Sequence, residues 1–209
     1  MVLTNAFERT PPIIKTKLKG AVGNVELTGE LPWGGVFDPA DLASRTDSNN
    51  LKLWREAELK HSRIAMLAVV GMLVAEKWNP LFGGKILGIS INHFQQTYNV
   101  WPQFWIILLA SIAAVEARTI SKGWESRDGS FLRSKLQDDY IPGDLGFDPL
   151  NLVPNKSYDD PKFLEKRNKE LNNGRIAILA VAGIVAQELQ DPTHTIWEHL
   201  RDYGLGPVK

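Results

Sequence analysis

The sequence contains no cysteine, which excludes disulfide bonds and thiolate metal sites. It carries no net charge, with 24 basic and 24 acidic residues, so its charge does not favour a nucleic-acid partner. Residues 1–15 hold no continuous apolar core, and no secretory signal is predicted there. The sequence also lacks a serine, histidine and acid set, a glycine-rich phosphate loop and a converging pair of histidines, which argues against an enzyme.

No stretch of the sequence reaches the roughly 20 consecutive apolar residues that span a bilayer. Three shorter uncharged runs are present instead, at residues 64–75, 104–115 and 176–186. Each run is long enough only if the polar residues beside it are neutralised within the membrane. The sequence therefore predicts membrane helices that carry paired charges.

Lysine and arginine are distributed unevenly around these runs. Residues 1–60 and 121–169 hold eight and nine of them, whereas residues 77–103 and 190–209 hold two each. Basic residues accumulate on one side of a membrane protein, and three spans place both basic segments on the same side. A soluble three-helix protein has no reason to show this bias, so an all-α membrane protein is predicted.

Capping residues indicate where the helices begin. Asp47 precedes the first helix, Pro102 the second and Asp160-Pro161 the third. A short amphipathic helix follows at about residues 195–203. We predict an N-terminal extension and loop over residues 1–47 and one membrane domain over residues 48–209, with transmembrane spans at about 48–79, 101–122 and 161–190.

The first and third helices contain two copies of one sequence unit. Aligning residues 58–76 with residues 170–188 matches ten of nineteen positions at a constant offset of 112. A looser repeat precedes each copy, where Phe37-Asp38-Pro39 matches Phe147-Asp148-Pro149. We therefore predict that the two helices form a crossed pair related by a pseudo-twofold axis, with small residues at close approach. These residues are Ala65, Ala68 and Gly71 on the first helix and Ala177, Ala180 and Gly183 on the third.

Each copy places a glutamate and an arginine five residues apart at the start of an apolar run. Five helical steps separate the two side chains by about 140° around the axis, so they are poor partners within one helix. Across the pseudo-twofold axis, Glu58 meets Arg175 and Glu170 meets Arg63. Pairing makes charges tolerable inside a membrane, so two reciprocal ion pairs are predicted to lock the crossing. Helix locking alone would explain such pairs in any polytopic membrane protein.

Further side chains with a free lone pair lie along these helices. His61 and Asn173 each follow a glutamate by three residues, on the same helix face one turn along. Gln187 follows on the third helix, and Glu116 interrupts the apolar run of the second. Because they are scattered singly, these residues do not form one metal cage. They suit several separate metal centres that each need one axial ligand.

These motifs resemble the light-harvesting chlorophyll-binding proteins of chloroplast thylakoids. The resemblance lies in Glu58–Met66 (ExxHxRxAM), in Glu170–Ala177 (ExxNGRxA) and in the GFDPL loop before the third helix. It implies three transmembrane helices that bind chlorophylls and carotenoids. The implied chlorophyll magnesium ligands are Glu58, His61, Glu116, Glu170, Asn173, Gln187 and His199, with Arg63 and Arg175 neutralising two of the glutamates. For His199, a solvated histidine on an interfacial helix is the alternative interpretation.

The loops with the repeated Asp-Pro pairs have two interpretations. In the family, the loops that correspond to Asp38-Pro39 and Asp148-Pro149 run beside the end rings of two central carotenoids. The alternative is plain turn chemistry, since aspartate and proline both favour turns.

The second helix departs from the family pattern at two positions. The family's arginine three residues after the ligating glutamate is Thr119 here, and Arg118 would have to reach around the helix to Glu116. Leu108 replaces a glutamine ligand of green antennae, so we expect that pigment position to be absent or water-ligated. Two histidines have no motif around them and are interpreted as loop residues, His93 and His194.

The resemblance implies a light-harvesting antenna with chlorophyll a and xanthophylls as cofactors, and it leaves chlorophyll c or b open beside chlorophyll a. The segment Ile120–Trp124 resembles the red-algal lineage. That likeness favours photosystem I over photosystem II as the partner, together with neighbouring antenna proteins and thylakoid lipids. The expected location is the chloroplast thylakoid membrane, crossed several times with the N-terminus on the stromal side. A photoprotective or quenching relative shares the same motifs, and a transporter subunit is a more distant alternative.

Overall fold

The structure, a computed structural model, describes Leu31 and residues 37–125, 135–151 and 160–204. These residues form helices, turns and loops, and an isolated antiparallel bridge joins Trp124 to Leu136. The helices are α1 (Ser48–Lys77), α2 (Ser90–Val100), α3 (Gln103–Gly123), α4 (Pro161–Gln190) and α5 (Ile196–Asp202), with 3-10 turns at Ala43–Arg45 and Leu81–Gly84.

Four of these helices were predicted. The three long helices and α5 agree with the predicted segments to within two residues at each end. Most of the predicted N-terminal extension lies outside the described residues, including residues 1–30. The all-helical character of the fold is therefore confirmed for the described part of the chain.

The long helices begin where the capping residues indicate. The Asp47 carboxylate accepts a hydrogen bond from the Asn50 backbone N–H at 2.8 Å, which caps α1. The Asp160 carboxylate accepts one from the Lys162 backbone N–H at 2.9 Å, and Pro161 occupies the first turn of α4. Both caps satisfy N–H groups that have no partner inside the helix.

Helix α2 lies in the connection between the first two predicted spans and was not predicted. Its start has no side-chain cap of its own. The carboxylates of Glu76 on α1 and Glu188 on α4 cap it instead, accepting from the backbone N–H groups of Ser90 at 3.2 Å and Ile91 at 2.6 Å. The caps come from distant parts of the chain, where no local pattern reveals them. The local signal was the helical spacing of Ile91, Phe94 and Tyr98.

Helices α1 and α4 cross along a buried stripe. Each buried residue of α1 in this stripe has its repeat counterpart on α4. Leu59 and Ser62 are 1% and 0% exposed, and Leu171, the counterpart of Leu59, is 0% exposed. Gly174, the counterpart of Ser62, is also buried, and a Cβ added there would overlap the Ser62 side chain. The predicted crossed pair is therefore present, and its two backbones come close at Ser62 and Gly174.

The predicted small-residue contact is only partly correct. Ala65 and Ala177 lie buried in the crossing, each 8% exposed. Gly71 and Gly183 do not take part, because a Cβ added at either position meets nothing within 4 Å. These glycines lie nine residues beyond Ser62 and Gly174, or about 13 Å along the helix, where crossing helices have separated.

A loop closes over the entry end of the crossing, which we define as the end where α1 and α4 begin. The buried Glu56 carboxylate accepts hydrogen bonds from the Gly143 backbone N–H at 2.5 Å and the Tyr140 hydroxyl at 3.2 Å. Burial and the nearby Glu56 charge raise the pKa of Tyr140, so its phenol remains a donor. Arg167 of α4 donates to the Pro142 carbonyl. The loop thus joins both crossing helices.

Helix α3 stands beside the crossing and is held at its two ends. Gly123 lies against the Tyr140 ring, since a Cβ added there would be 2.9 Å from a ring carbon. At the other end, Trp105 packs on Phe94 of α2 with ring centroids 4.1 Å apart. The entry-end loop and α2 therefore position α3.

Two segments are long and apolar enough to cross a membrane, Ser48–Gly84 with α1 and Gln103–Gly123, which is α3. Helix α3 exposes Ile106 and Leu109 by 70% and 64%, whereas a soluble protein covers most of such a helix. The apolar run of α4 is flanked by polar residues at both ends and does not meet the same criterion. A membrane crossing by α4 stays a prediction.

The close approach at Gly174 makes its replacement informative. Gly174→Ala is expected to lower the free energy of unfolding by about 3 kcal/mol, because the methyl group overpacks a buried contact. Gly183→Ala is the matched control on the same helix. It is expected to change stability by less than about 1 kcal/mol, since alanine favours the helix and meets open space. Thermal melting of helical circular dichroism in detergent measures both. Equal effects would place Gly174 outside the crossing.

Candidate functional site

Two reciprocal ion pairs join α1 and α4 at the crossing. Arg63 Nε lies 2.7 Å from Glu170 Oε1, and Arg175 Nε lies 2.8 Å from Glu58 Oε1. All four side chains are partly covered, between 28% and 32% exposed. The predicted exchange of partners between the two helices is confirmed by this geometry.

Each glutamate also has an arginine on its own helix that the sequence analysis missed. Arg55 Nη1 lies 2.7 Å from Glu58 Oε2, and Arg167 Nη1 lies 3.7 Å from Glu170 Oε2. The repeat offset of 112 relates these two arginines to each other. The alignment began at residue 58, so it did not include them. Each carboxylate is therefore neutralised from two sides.

His61 presents one ring nitrogen outward from the crossing. Its side chain is exposed, and Nδ1 lies 2.7 Å from the Ala57 carbonyl oxygen. A carbonyl oxygen only accepts, so Nδ1 carries the proton, and in the neutral imidazole Nε2 then keeps its lone pair. Histidines that ligate a metal ion through Nε2 have the same hydrogen bond at Nδ1.

Asn173 is the counterpart of His61 on α4. Its side chain is exposed, while the neighbouring Gly174 is buried in the crossing. The amide oxygen is a neutral ligand, as the imidazole nitrogen of His61 is. The two helices therefore each expose one neutral side chain with a free lone pair, on outer faces related by the repeat.

Glu116 on α3 is paired with a cation from another helix. Lys60 Nζ of α1 lies 2.6 Å from Glu116 Oε2, and the two side chains are 28% and 45% exposed. Arg118, which the sequence analysis considered as the partner, has an exposed side chain. Thr119 is buried and donates its hydroxyl to the Val115 carbonyl at 3.0 Å. The neutralising charge therefore comes from α1.

Gln187 and His199 lie together at the exit end, where α1 and α4 end. The Gln187 amide nitrogen lies 3.4 Å from each ring nitrogen of His199, whose side chain is 16% exposed. His199 is therefore a covered residue rather than a solvated one. His194 lies in a loop as predicted, paired with Asp191 at 2.8 Å, whereas His93 lies inside α2 and not in a loop.

The two Asp-Pro loops form the same turn. The Asp38 carboxylate accepts from the backbone N–H groups of Leu42 and Ala43 at 2.9 Å each, and these bonds, that from Ala43 most, lower the pKa of Asp38. Left-handed residues follow at equivalent places, Asp41 with φ 51° and Asn151 with φ 48°. Turn chemistry accounts for these contacts. A role of Asp38, Pro39, Asp148 and Pro149 beside carotenoids stays a prediction.

The arrangement fits separate magnesium ions rather than one metal centre. In the described residues, no three His, Asp or Glu side chains converge to hold an ion. Magnesium prefers oxygen and nitrogen ligands, and a macrocycle that supplies four nitrogens leaves an axial position for one protein ligand. His61 and Asn173 fit that position without adding charge, and Glu58 and Glu170 have their charge cancelled by arginines.

Long helices that expose single neutral side chains such as His61 and Asn173 are typical of the pigment-binding class of proteins. Residues 24–189 match the family model described as Chlorophyll A-B binding protein, and the chain belongs to that family. It is a family of light-harvesting proteins rather than of enzymes. The resemblance found from the helix motifs is confirmed.

Relatives come from both the stress-related and the light-harvesting branches. The chain is 45% identical over 175 residues to light-harvesting complex stress-related protein 3.2 of Chlamydomonas reinhardtii, covering 81% of this chain and 64% of that protein. It is 40% identical over 171 residues to a fucoxanthin-chlorophyll a-c binding protein of Isochrysis galbana, covering 79% of each. A chlorophyll a-b binding protein of Petunia hybrida is 34% identical over 196 residues, covering 87% of this chain and 69% of that protein. The chain thus spans less than two thirds of the stress-related relative, and all three relatives are chloroplast proteins by name.

The pairing of Glu58 with Arg175 is open to a double-mutant cycle. Arg175→Leu is expected to cost up to about 3 kcal/mol, the lower end for breaking a buried pair, because this pair is only partly covered and Arg55 stays beside Glu58. Adding Glu58→Gln removes the carboxylate that Arg175 pairs with, so the double variant is expected to lose less stability than the sum of the two single variants.

The control for this cycle is an exposed pair on α4. Lys169 Nζ lies 2.6 Å from Glu165 Oε1 within one helix, and a cycle on this pair is expected to give a coupling of about 0.5 kcal/mol or less. Simple addition of the effects at Glu58 and Arg175 would contradict their partnership.

Proposed function

We propose that this protein is a light-harvesting-type membrane protein that binds several chlorophylls and carotenoids in the chloroplast thylakoid. In this proposal α4 is the third transmembrane helix and the N-terminus lies on the stromal side, as the distribution of basic residues favours. The pigments are chlorophyll a and xanthophylls. The 40% identity to a fucoxanthin-chlorophyll a-c binding protein supports chlorophyll c as a further pigment.

The observation that carries this proposal is the outward lone pair of His61. The Ala57 carbonyl keeps the proton on Nδ1. Because the His61 side chain is exposed, helix packing does not explain this arrangement. Asn173 occupies the equivalent exposed position on the other crossing helix. A pair of outward ligands related by the repeat is expected of a protein that holds pigments on both sides of one crossing.

Bound chlorophyll supplies light absorption and an excited state that passes to neighbouring pigments. The chain holds the pigments in position. Glu58, Glu170, His61 and Asn173 lie within one helical turn of the locked crossing, so the atoms that would hold magnesium cannot move independently. Gln187, Glu116 and His199 are proposed as further ligands. Fixed ligand positions serve a protein whose function depends on the distances and angles between pigments.

Single-ligand variants test pigment binding directly. His61→Leu and Asn173→Leu are each expected to remove about one chlorophyll per protein while the fold survives, since loss of a neutral ligand leaves no unpaired charge. His93→Leu is the control, because this histidine lies on α2 beside the Gly88 carbonyl and no ligand role is proposed for it. Chromatographic pigment counts of protein reconstituted with chlorophyll a and xanthophyll give the result. Unchanged counts in both ligand variants would make these residues packing groups.

The fate of the excitation divides two candidate roles. Photoprotective dissipation is favoured by the 45% identity to a stress-related light-harvesting protein. Transfer to a photosystem, with photosystem I favoured over photosystem II, is supported by the seven candidate ligands of this chain, because a quenching protein is expected to retain fewer chlorophylls. The partners in either role are a photosystem core, neighbouring antenna proteins and thylakoid lipids.

The chlorophyll fluorescence lifetime of the purified, pigmented protein separates these roles. A dissipating protein is expected to show a lifetime much shorter than that of a green antenna protein measured in the same detergent. An antenna role predicts equal lifetimes, because excitation must survive long enough to reach a photosystem. Protein that purifies without pigment yet fully helical would contradict both roles.

A further inference from the structure

The ion pair between Lys60 and Glu116 is a contact that the repeat does not produce. The position equivalent to Lys60 on α4 is Asn172, so no second copy of this pair is encoded. Lys60 Nζ reaches Glu116 Oε2 at 2.6 Å across the space between α1 and α3. Elsewhere α3 is positioned by the entry-end loop and by α2. This pair therefore ties the middle of α3 to the crossing helices.

The surroundings of Glu116 on its own helix supply no equivalent charge. Thr119 occupies the position one turn later, where its hydroxyl donates to the Val115 carbonyl. Arg118 lies two residues after Glu116, which is about 200° around the helix. Neither residue replaces the cation that Lys60 provides.

We propose that Lys60 is the positioning residue for a chlorophyll held at Glu116, because it supplies from a neighbouring helix the charge that makes this carboxylate a neutral site. This inference rests on the proposed function. Magnesium and its dianionic macrocycle are neutral together, so a carboxylate ligand leaves one negative charge in an apolar environment. The Lys60 ammonium cancels that charge. The site is complete only when α3 is docked against α1.

This arrangement differs in kind from that at Glu58 and Glu170. Those carboxylates each have two arginines, one on each crossing helix, so each keeps one arginine if the other is lost. Glu116 has Lys60 as its cation at 2.6 Å. The chlorophyll at Glu116 is therefore the one most sensitive to a single change of charge.

Charge and ligand are separated by three variants of the full chain reconstituted with chlorophyll a and xanthophyll. Lys60→Met keeps a stem of similar length and is expected to lose about one chlorophyll per protein. Lys60→Arg restores the cation and should regain that chlorophyll. Lys60→Met combined with Glu116→Gln removes both charges and keeps an amide oxygen for magnesium, so this double variant should also regain it. Lys169→Met, which removes an exposed lysine of α4, is the control with an unchanged pigment count.

A role of Lys60 in helix packing alone predicts a different pattern. The double variant would then lose at least as much pigment as Lys60→Met, because the contact between α1 and α3 is absent in both. That result would overturn the inference. If Lys60→Met fails to fold, the double variant still tests the inference. A double variant that folds with a full pigment count shows that the unpaired charge of Glu116 caused the failure of Lys60→Met.

Infrared spectroscopy gives a readout that does not depend on counting pigments. A carboxylate left without its cation in an apolar environment is expected to take up a proton. Lys60→Met should therefore show the C=O stretch of a protonated carboxyl group that is absent from Lys60→Arg and from the double variant. An identical spectrum in all three would contradict the inference.

Failure of this inference is distinguishable from failure of the proposed function. If the unaltered protein binds no chlorophyll, the proposed function itself is wrong. If the unaltered protein binds chlorophyll and His61→Leu loses one, while Lys60→Met keeps every pigment, only the role of Lys60 is wrong.

Discussion

Charge neutralisation at the helix crossing is the constraint on which the rest of the structure depends. Glu58 and Glu170 lie where a lone carboxylate is unfavourable, and each reaches an arginine of the other helix. Both pairs form together only when α1 and α4 meet at one depth and one rotation. That rotation buries Ser62 against Gly174 and directs the neighbouring residues on each helix outward. The same interaction thus determines the packing and the directions in which ligands point.

The sequence was sufficient for this part of the fold because its determinants are local or repeated. Asp47 and Asp160 cap helices within a few residues of themselves, so a linear pattern reveals them. The pairing of Glu58 with Arg175 follows from the repeat. The glutamate and the arginine of one helix point away from each other, so each takes its partner from the other helix. Arg55 and Arg167 obey the same offset and could have been found by extending the alignment towards the N-terminus.

Other features depend on distances between segments that no repeat relates. Helix α2 is capped by Glu76 and Glu188, each of which belongs to another helix. Nothing in the sequence around Lys60 indicates its pairing with Glu116, which depends on the position of α3 beside α1. Gly71 and Gly183 match in the repeat as well as Ala65 and Ala177 do, yet only the alanines lie in the crossing, because helices separate with distance from their contact. Sequence periodicity identifies a face but not the length over which it is in contact.

The difference in size between Ser62 and Gly174 affects which helices can pair at the crossing. Each crossing helix carries its own glutamate and arginine, so two α1 helices from different chains would satisfy the same ion pairs as α1 with α4. Sterically they would not be equivalent, because Ser62 would then face a second Ser62 where the space admits one serine and one glycine. The hydroxymethyl group by which serine differs from glycine therefore favours pairing of α1 with α4 over pairing of α1 with a second α1.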